Sequence, residues 1–149
     1  MASDFSIRHA AHIISHGGII AYPTDTIYGL GCDPYNQTAV ENINNIKQRP
    51  LNKQFILLAG HINQIKHLIT ISEEEEKVIT HNTEPTSWII DADPKTPAWL
   101  IDSKKTLTVR ISKHDDVKKL CAALGHAIIS TSANTSGKPP AKNGLELHS

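Results

Sequence analysis

The chain has 149 residues, 15 Lys plus Arg against 15 Asp plus Glu, and nine His, for a formal net charge of +0. That length suits one domain with a real core and is thin for two. The charge balance excludes a generalised polyanion binder, whose basic excess would show, and leaves room only for a local basic patch.

Ser3 or Asp4 can cap a first helix whose apolar positions Phe5, Ala10, Ile13 and Ile14 share a face, and Gly17-Gly18 ends it. Ile19-Ile20-Ala21-Tyr22 follows as a short buried strand halted by Pro23. The spacing predicts a helix over 37–47, with Val40, Ile43 and Ile46 inward and Pro50 beyond its end, then a fully buried strand over 55–59. Ile62, Ile65, Leu68 and Ile69 point to a helix over 61–69, and Ser72-x-x-Glu75 opens another with a capping box. Residues 86–90 and 106–111 gather β-formers and read as strands. Residues 115–124 read as a helix closed by Gly125, and Ala127-Ile128-Ile129 as one more strand. Strands and helices therefore alternate, which favours an α/β or α+β sheet covered by helices, without repeat or linker. The stretch 138–149, with Pro139-Pro140 and few apolar residues, is expected to fray.

Cys32 and Cys121 lie far apart and form no metal-ligand spacing, which fits reduced thiols in a cytosol. The start, Met1-Ala2-Ser3-Asp4-Phe5, lacks the layout of a secretion signal, and no apolar run is long enough to span a bilayer. A soluble cytoplasmic domain with no membrane partner is the expectation. His12 and His16 are four apart on the first helix, as a metal pair would be, but without a nearby third ligand they read as surface residues. No metal ligand set is expected. Glu73 to Glu76 suits the first turn of a helix, and Trp88 and Trp99 are too few and too separated for base stacking.

Three polar segments border the apolar runs: Tyr22-Pro23-Thr24-Asp25-Thr26-Ile27-Tyr28-Gly29-Leu30-Gly31, Lys47-Gln48-Arg49-Pro50, and Ser130-Thr131-Ser132-Ala133-Asn134-Thr135-Ser136-Gly137. Hydroxyls, ammonium, guanidinium and amide at strand ends suit a pocket for small anionic substrates. Lys47 and Arg49 can be a solvated helix C-terminus, or a point charge and a planar fork on phosphate oxygens, with Lys53 as a third positive group. Residues 130–135 can be ordinary turn chemistry or a phosphate or ribose cradle. Thr24-Asp25-Thr26 can be an Asx or Ser/Thr turn without a ligand. Gly29-Leu-Gly31 does not fit the dinucleotide fingerprint, and no Walker A sequence occurs.

Taken together, the order and spacing of these segments, with Ile46-Lys47-Gln48-Arg49-Pro50 and Val109-Arg110, resemble the YrdC-like family of threonylcarbamoyl-adenylate synthases, short bacterial-type branch. The likeness covers about Gly18 to Pro140. It departs at Asn82-Thr83-Glu84-Pro85-Thr86-Ser87, where the family carries Trp-Pro-Gly-Pro-x-Thr, and at Leu58, where some longer relatives have histidine. The resemblance implies a single α/β domain over 1–149, an open twisted mixed sheet flanked by helices with a concave central cavity, lacking a C-terminal strand and loop of the relatives. It implies synthesis of threonylcarbamoyl-AMP and pyrophosphate from L-threonine, bicarbonate and ATP, with Mg²⁺ on the phosphates. Partner proteins would then pass the threonylcarbamoyl group to tRNA. Matched by position, Thr26, Arg110 and Ser130 would hold threonine. Lys47, Arg49, Lys53, Thr106, Ser132 and Asn134 would surround ATP, with Lys47 and Arg49 offsetting charge in the reaction. The competing expectations are a non-catalytic module binding double-stranded RNA or tRNA in the same basic cavity, and a carbamoyl-transfer domain.

Overall fold

The computed structural model describes residues 3–23, 28–47, 55–84, 86–102 and 104–132. Ser3 caps α1 (Asp4–Ser15), its hydroxyl accepting from the Ser6 amide at 3.1 Å, and Gly17 turns the chain out of the helix at φ +86°. Ile7 and Ile14 are buried by α1, whereas Phe5, placed inward by spacing alone, is 71 % exposed. The remaining elements are β1 (Ile20–Pro23), β2 (Tyr28–Cys32), α2 (Gln37–Lys47), β3 (Ile56–Ala59), α3 (Glu73–His81), β4 (Trp88–Asp91), β5 (Thr106–Ile111), α4 (Asp115–Leu124) and β6 (Ile128–Ser132). The capping box at α3 forms as predicted: the Ser72 hydroxyl accepts from the Glu75 amide at 3.1 Å, and the Glu75 carboxylate accepts from the Ser72 amide at 2.9 Å. Among the described residues, no helix is long and apolar enough to cross a membrane.

The six strands form one mixed sheet in the order β1-β2-β6-β3-β5-β4, with β3 and β5 parallel and the other neighbours antiparallel. Two expectations are corrected. The 61–69 helix is two 3-10 turns, Ile62–Gln64 and Lys66–Leu68. Its apolar positions 62, 65 and 68 recur every third residue, which is the 3-10 period rather than the α period. Residues 28–31, read as part of a polar loop, belong to β2. Residues 130–132, open between a turn and a polar cradle, are the continuation of β6: all three pair with β2, and Ser130 also pairs with β3. Ladder pairing overrides the turn preference of serine and threonine.

The pleat sends alternate residues to opposite faces. On one face Cys32, Ile129, Leu57 and Val109 join Val40 and Ile43 of α2 in a core that also takes in Ile65, Leu68 and Ile79. On the other, Ile20, Leu58 and Ile128 are covered by Ile7 and Ile14 of α1 and Val117, Leu120 and Cys121 of α4. Gly60 lets α4 come close, since a Cβ there would stand 2.9 Å from the Lys118 Cα.

Candidate functional site

The face covered by α1 and α4 changes character along its strands. On β6, Ile128 lies under the helices, and two residues on, facing the same way, stands Ser130, 2 % exposed. The register puts Gly31, Ser130, Ile56, Thr108 and Ile89 in one row across five strands. Ser130 and Thr108 therefore flank β3 from either side, about 10 Å apart across two strand spacings. Ile89, 73 % exposed, ends the row on the β4 edge. Gly29 and Gly31 stand opposite Ser132 and Ser130, so no Cβ rises from β2 on this face.

On β5 the alternation Thr106, Thr108, Arg110 directs three polar side chains to this face. Arg110 stands opposite Leu58 of β3 and is 9 % exposed; its Nε donates to Ser87 Oγ at 3.2 Å. Burial pulls the guanidinium pKa below its usual value, without threatening its charge. A buried cation among hydroxyls suits a carboxylate, which accepts from a guanidinium fork. Thr106 is held differently. Its hydroxyl donates to Asp102 Oδ2 at 3.0 Å, while Asp102 Oδ1 accepts from the Lys104 and Thr106 amides at 2.9 Å each. The Thr106 amide, the leading cause, and these neighbours hold the Asp102 carboxyl below its ordinary pKa.

Lys47 ends α2 and Ser132 ends β6. In sequence, α2 lies between the parallel strands β2 and β3, which are separated in the sheet by β6. Both β2 and β3 run antiparallel to β6, so the end of β6 lies beside the starts of those two strands. Arg110 and Ser130 are brought to the same face, with Thr106 on the same strand as Arg110. Thr26, Arg49, Lys53 and Asn134 lie outside the described residues, and so does the segment 138–149. Thr108, Ser87 and Asp102 were missed by the sequence reading, although the two-residue period of Thr106-Leu107-Thr108-Val109-Arg110 would have yielded Thr108.

A cavity of about 310 Å³ opens elsewhere, between α1, β1 and α4, lined by Phe5, Ala10, Ile13, Ile20, Val117 and Leu120 among others. It is apolar and has no part in the polar row. Among the described residues no group of three or more His, Cys, Asp or Glu could hold a metal ion.

A family model for Sua5, YciO and YrdC proteins, described as "Telomere recombination", matches residues 12–149. A protein of Hydrogenovibrio crunogenus named threonylcarbamoyl-AMP synthase is 41 % identical over 140 residues, covering 91 % of this chain and 75 % of its own length. One of the same name from Xylella fastidiosa is 40 % identical over 151 residues, covering 99 % and 81 %. Among solved structures, P. abyssi Sua5 complexed with L-threonine superimposes with a TM-score of 0.83 at 29 % identity. That match covers 93 % of this chain and 42 % of Sua5, so the chain spans less than half of that protein. E. coli YciO gives a TM-score of 0.81 at 26 % identity, covering 95 % and 70 %.

Proposed function

The chain belongs to the Sua5/YciO/YrdC family, and from that premise we propose that it is a threonylcarbamoyl-AMP synthase working on the polar half of the α1/α4 face. It joins L-threonine, bicarbonate and ATP and releases pyrophosphate. The observation that carries the reading is the pairing of Arg110 and Ser130, distant in sequence, buried, and set on one face either side of β3. Arg110 takes the threonine carboxylate, with Ser130 and Thr26 on its other polar groups. Lys47, Arg49, Lys53, Thr106, Ser132 and Asn134 receive ATP.

The chemistry asks for little covalent help. The threonine amine attacks bicarbonate, forming an N–C bond and expelling water to leave a carbamate. A carbamate oxygen then attacks the α-phosphorus, and the bond to the pyrophosphate oxygen breaks. Every reactant is anionic, so the barrier is mainly positioning and charge repulsion, which Arg110 offsets at threonine and Lys47 and Arg49 at the phosphates. When bound, Mg²⁺ would further neutralise the triphosphate. It would travel with the nucleotide, in keeping with its habit of binding through phosphates and few protein ligands. The product would serve tRNA modification in the cytoplasm through partner proteins.

The test is pyrophosphate release by the purified chain. Release that needs ATP, threonine and bicarbonate together supports the reading. No release, with salt-sensitive binding of structured RNA, would hand the site to the RNA-binding alternative.

A further inference from the structure

His12 and His16 stand outside the chemistry above, and their geometry is specific. Both are exposed, His12 on the last turn of α1 and His16 at its C-cap, with ring centroids 4.1 Å apart and planes tilted by 40°. His16 Nδ1 lies 2.8 Å from the His12 carbonyl oxygen, which can only accept, so the proton sits on Nδ1. Ser15 fits the same assignment: its hydroxyl donates to the His12 carbonyl at 3.0 Å and accepts from His16 Nδ1 at 3.2 Å. Nε2 of His16 is left with its lone pair directed away from the backbone. An imidazole whose second nitrogen donates to a backbone carbonyl is the usual state of a metal-ligating histidine, because that bond fixes the tautomer and raises basicity.

We infer that His12 and His16 form a two-imidazole surface site for a borderline divalent cation, Zn²⁺ or Cu²⁺. Imidazole nitrogen suits these ions and not Mg²⁺, and Cu²⁺ binds the tighter of the two. With the rings 4.1 Å apart, folding has already brought the two imidazoles together. His9, one turn earlier, is stacked on Phe5 at 6.2 Å, and water completes the coordination. The cation binds the folded chain preferentially and stabilises it by linkage. This site is independent of the adenylate chemistry and stands whether or not that reading holds.

Titration of the whole chain with Zn²⁺ and with Cu²⁺ tests it, followed by calorimetry and thermal unfolding. One equivalent should bind, Tm should rise, and EDTA should reverse the rise. His12→Ala and His16→Ala should each weaken binding by at least the roughly 10- to 100-fold that loss of an outer-shell partner costs, while His9→Ala binds as the parent does. Circular dichroism checks that the variants fold, and His12→Gln with His16→Gln supplies a second pair. Failure of the parent to bind either ion, or undiminished binding by the double variant, overturns the inference.

Discussion

One face of the sheet carries two regions that differ in everything except the strands they share. Where α1 and α4 lie, Ile20, Leu58 and Ile128 are sealed into an apolar core. One row further along from Leu58 and Ile128 stand Ser130 and Thr108, and a row beyond them, on β5, Thr106. A strand of five residues thus serves as core at one end and as the proposed substrate surface at the other. The teaching is mechanical: side chains that need fixed positions are held by strands whose other ends are clamped in close-packed hydrocarbon.

Substitutions in the two regions should therefore separate activity from stability. Arg110→Ala should have the largest effect, at about 2–5 kcal/mol of lost threonine recognition, read as a drop in kcat/KM for threonine with a small change in Tm. An equal loss with threonine-independent substrates would break the assignment. Leu120→Ala, in the α4 clamp, should cost about 3 kcal/mol of stability. Urea unfolding would show it, with the folded fraction keeping its threonine affinity. Thr108→Val keeps shape and removes a hydroxyl, so about 1 kcal/mol of substrate binding should go while Tm holds. A Thr108→Val enzyme with unaltered kinetics would confine the polar surface to its Ser130 side.

Ser72→Ala lies in neither region and should act on stability alone, by about 0.5–1 kcal/mol for a lost N-cap, measurable by thermal unfolding. It also alters the acid limb. Hydrogen bonds from the Ser72 amide and then its hydroxyl hold the Glu75 carboxyl below its ordinary pKa. Its contribution is thus complete above the unfolded value, about 4.3, and is lost as pH falls through the lower folded value. The Ser72→Ala profile should lose part of that acid dependence.

The four α-helices were legible because their signals are local: Ser3 and Ser72 as caps, Gly17 and Gly125 as stops, and an apolar stripe through α2. Strand β2 was not, since Gly29 and Gly31 carry no β-forming side chain and are placed by their partners in β1 and β6. The same reason hid the strand character of Ser130 and Ser132. Arg110 and Ser130 were found through family likeness, whereas Thr108 was legible in the two-residue period of β5 and was passed over. Asp102 could not be read at all, because its part is a set of hydrogen bonds closed by a turn, visible only when Lys104 and Thr106 fold back on it.

The position of β6 has a consequence for biosynthesis. It is the last strand described, yet it lies between β2 and β3. Until residues 128–132 leave the ribosome, a β1–β2 hairpin and a β3–β5–β4 unit have no ladder joining them. The nascent chain must hold two open edges apart, each a hazard for mispairing, until one late insertion closes both. Ser130 arrives with that insertion, so the proposed threonine site cannot form before it.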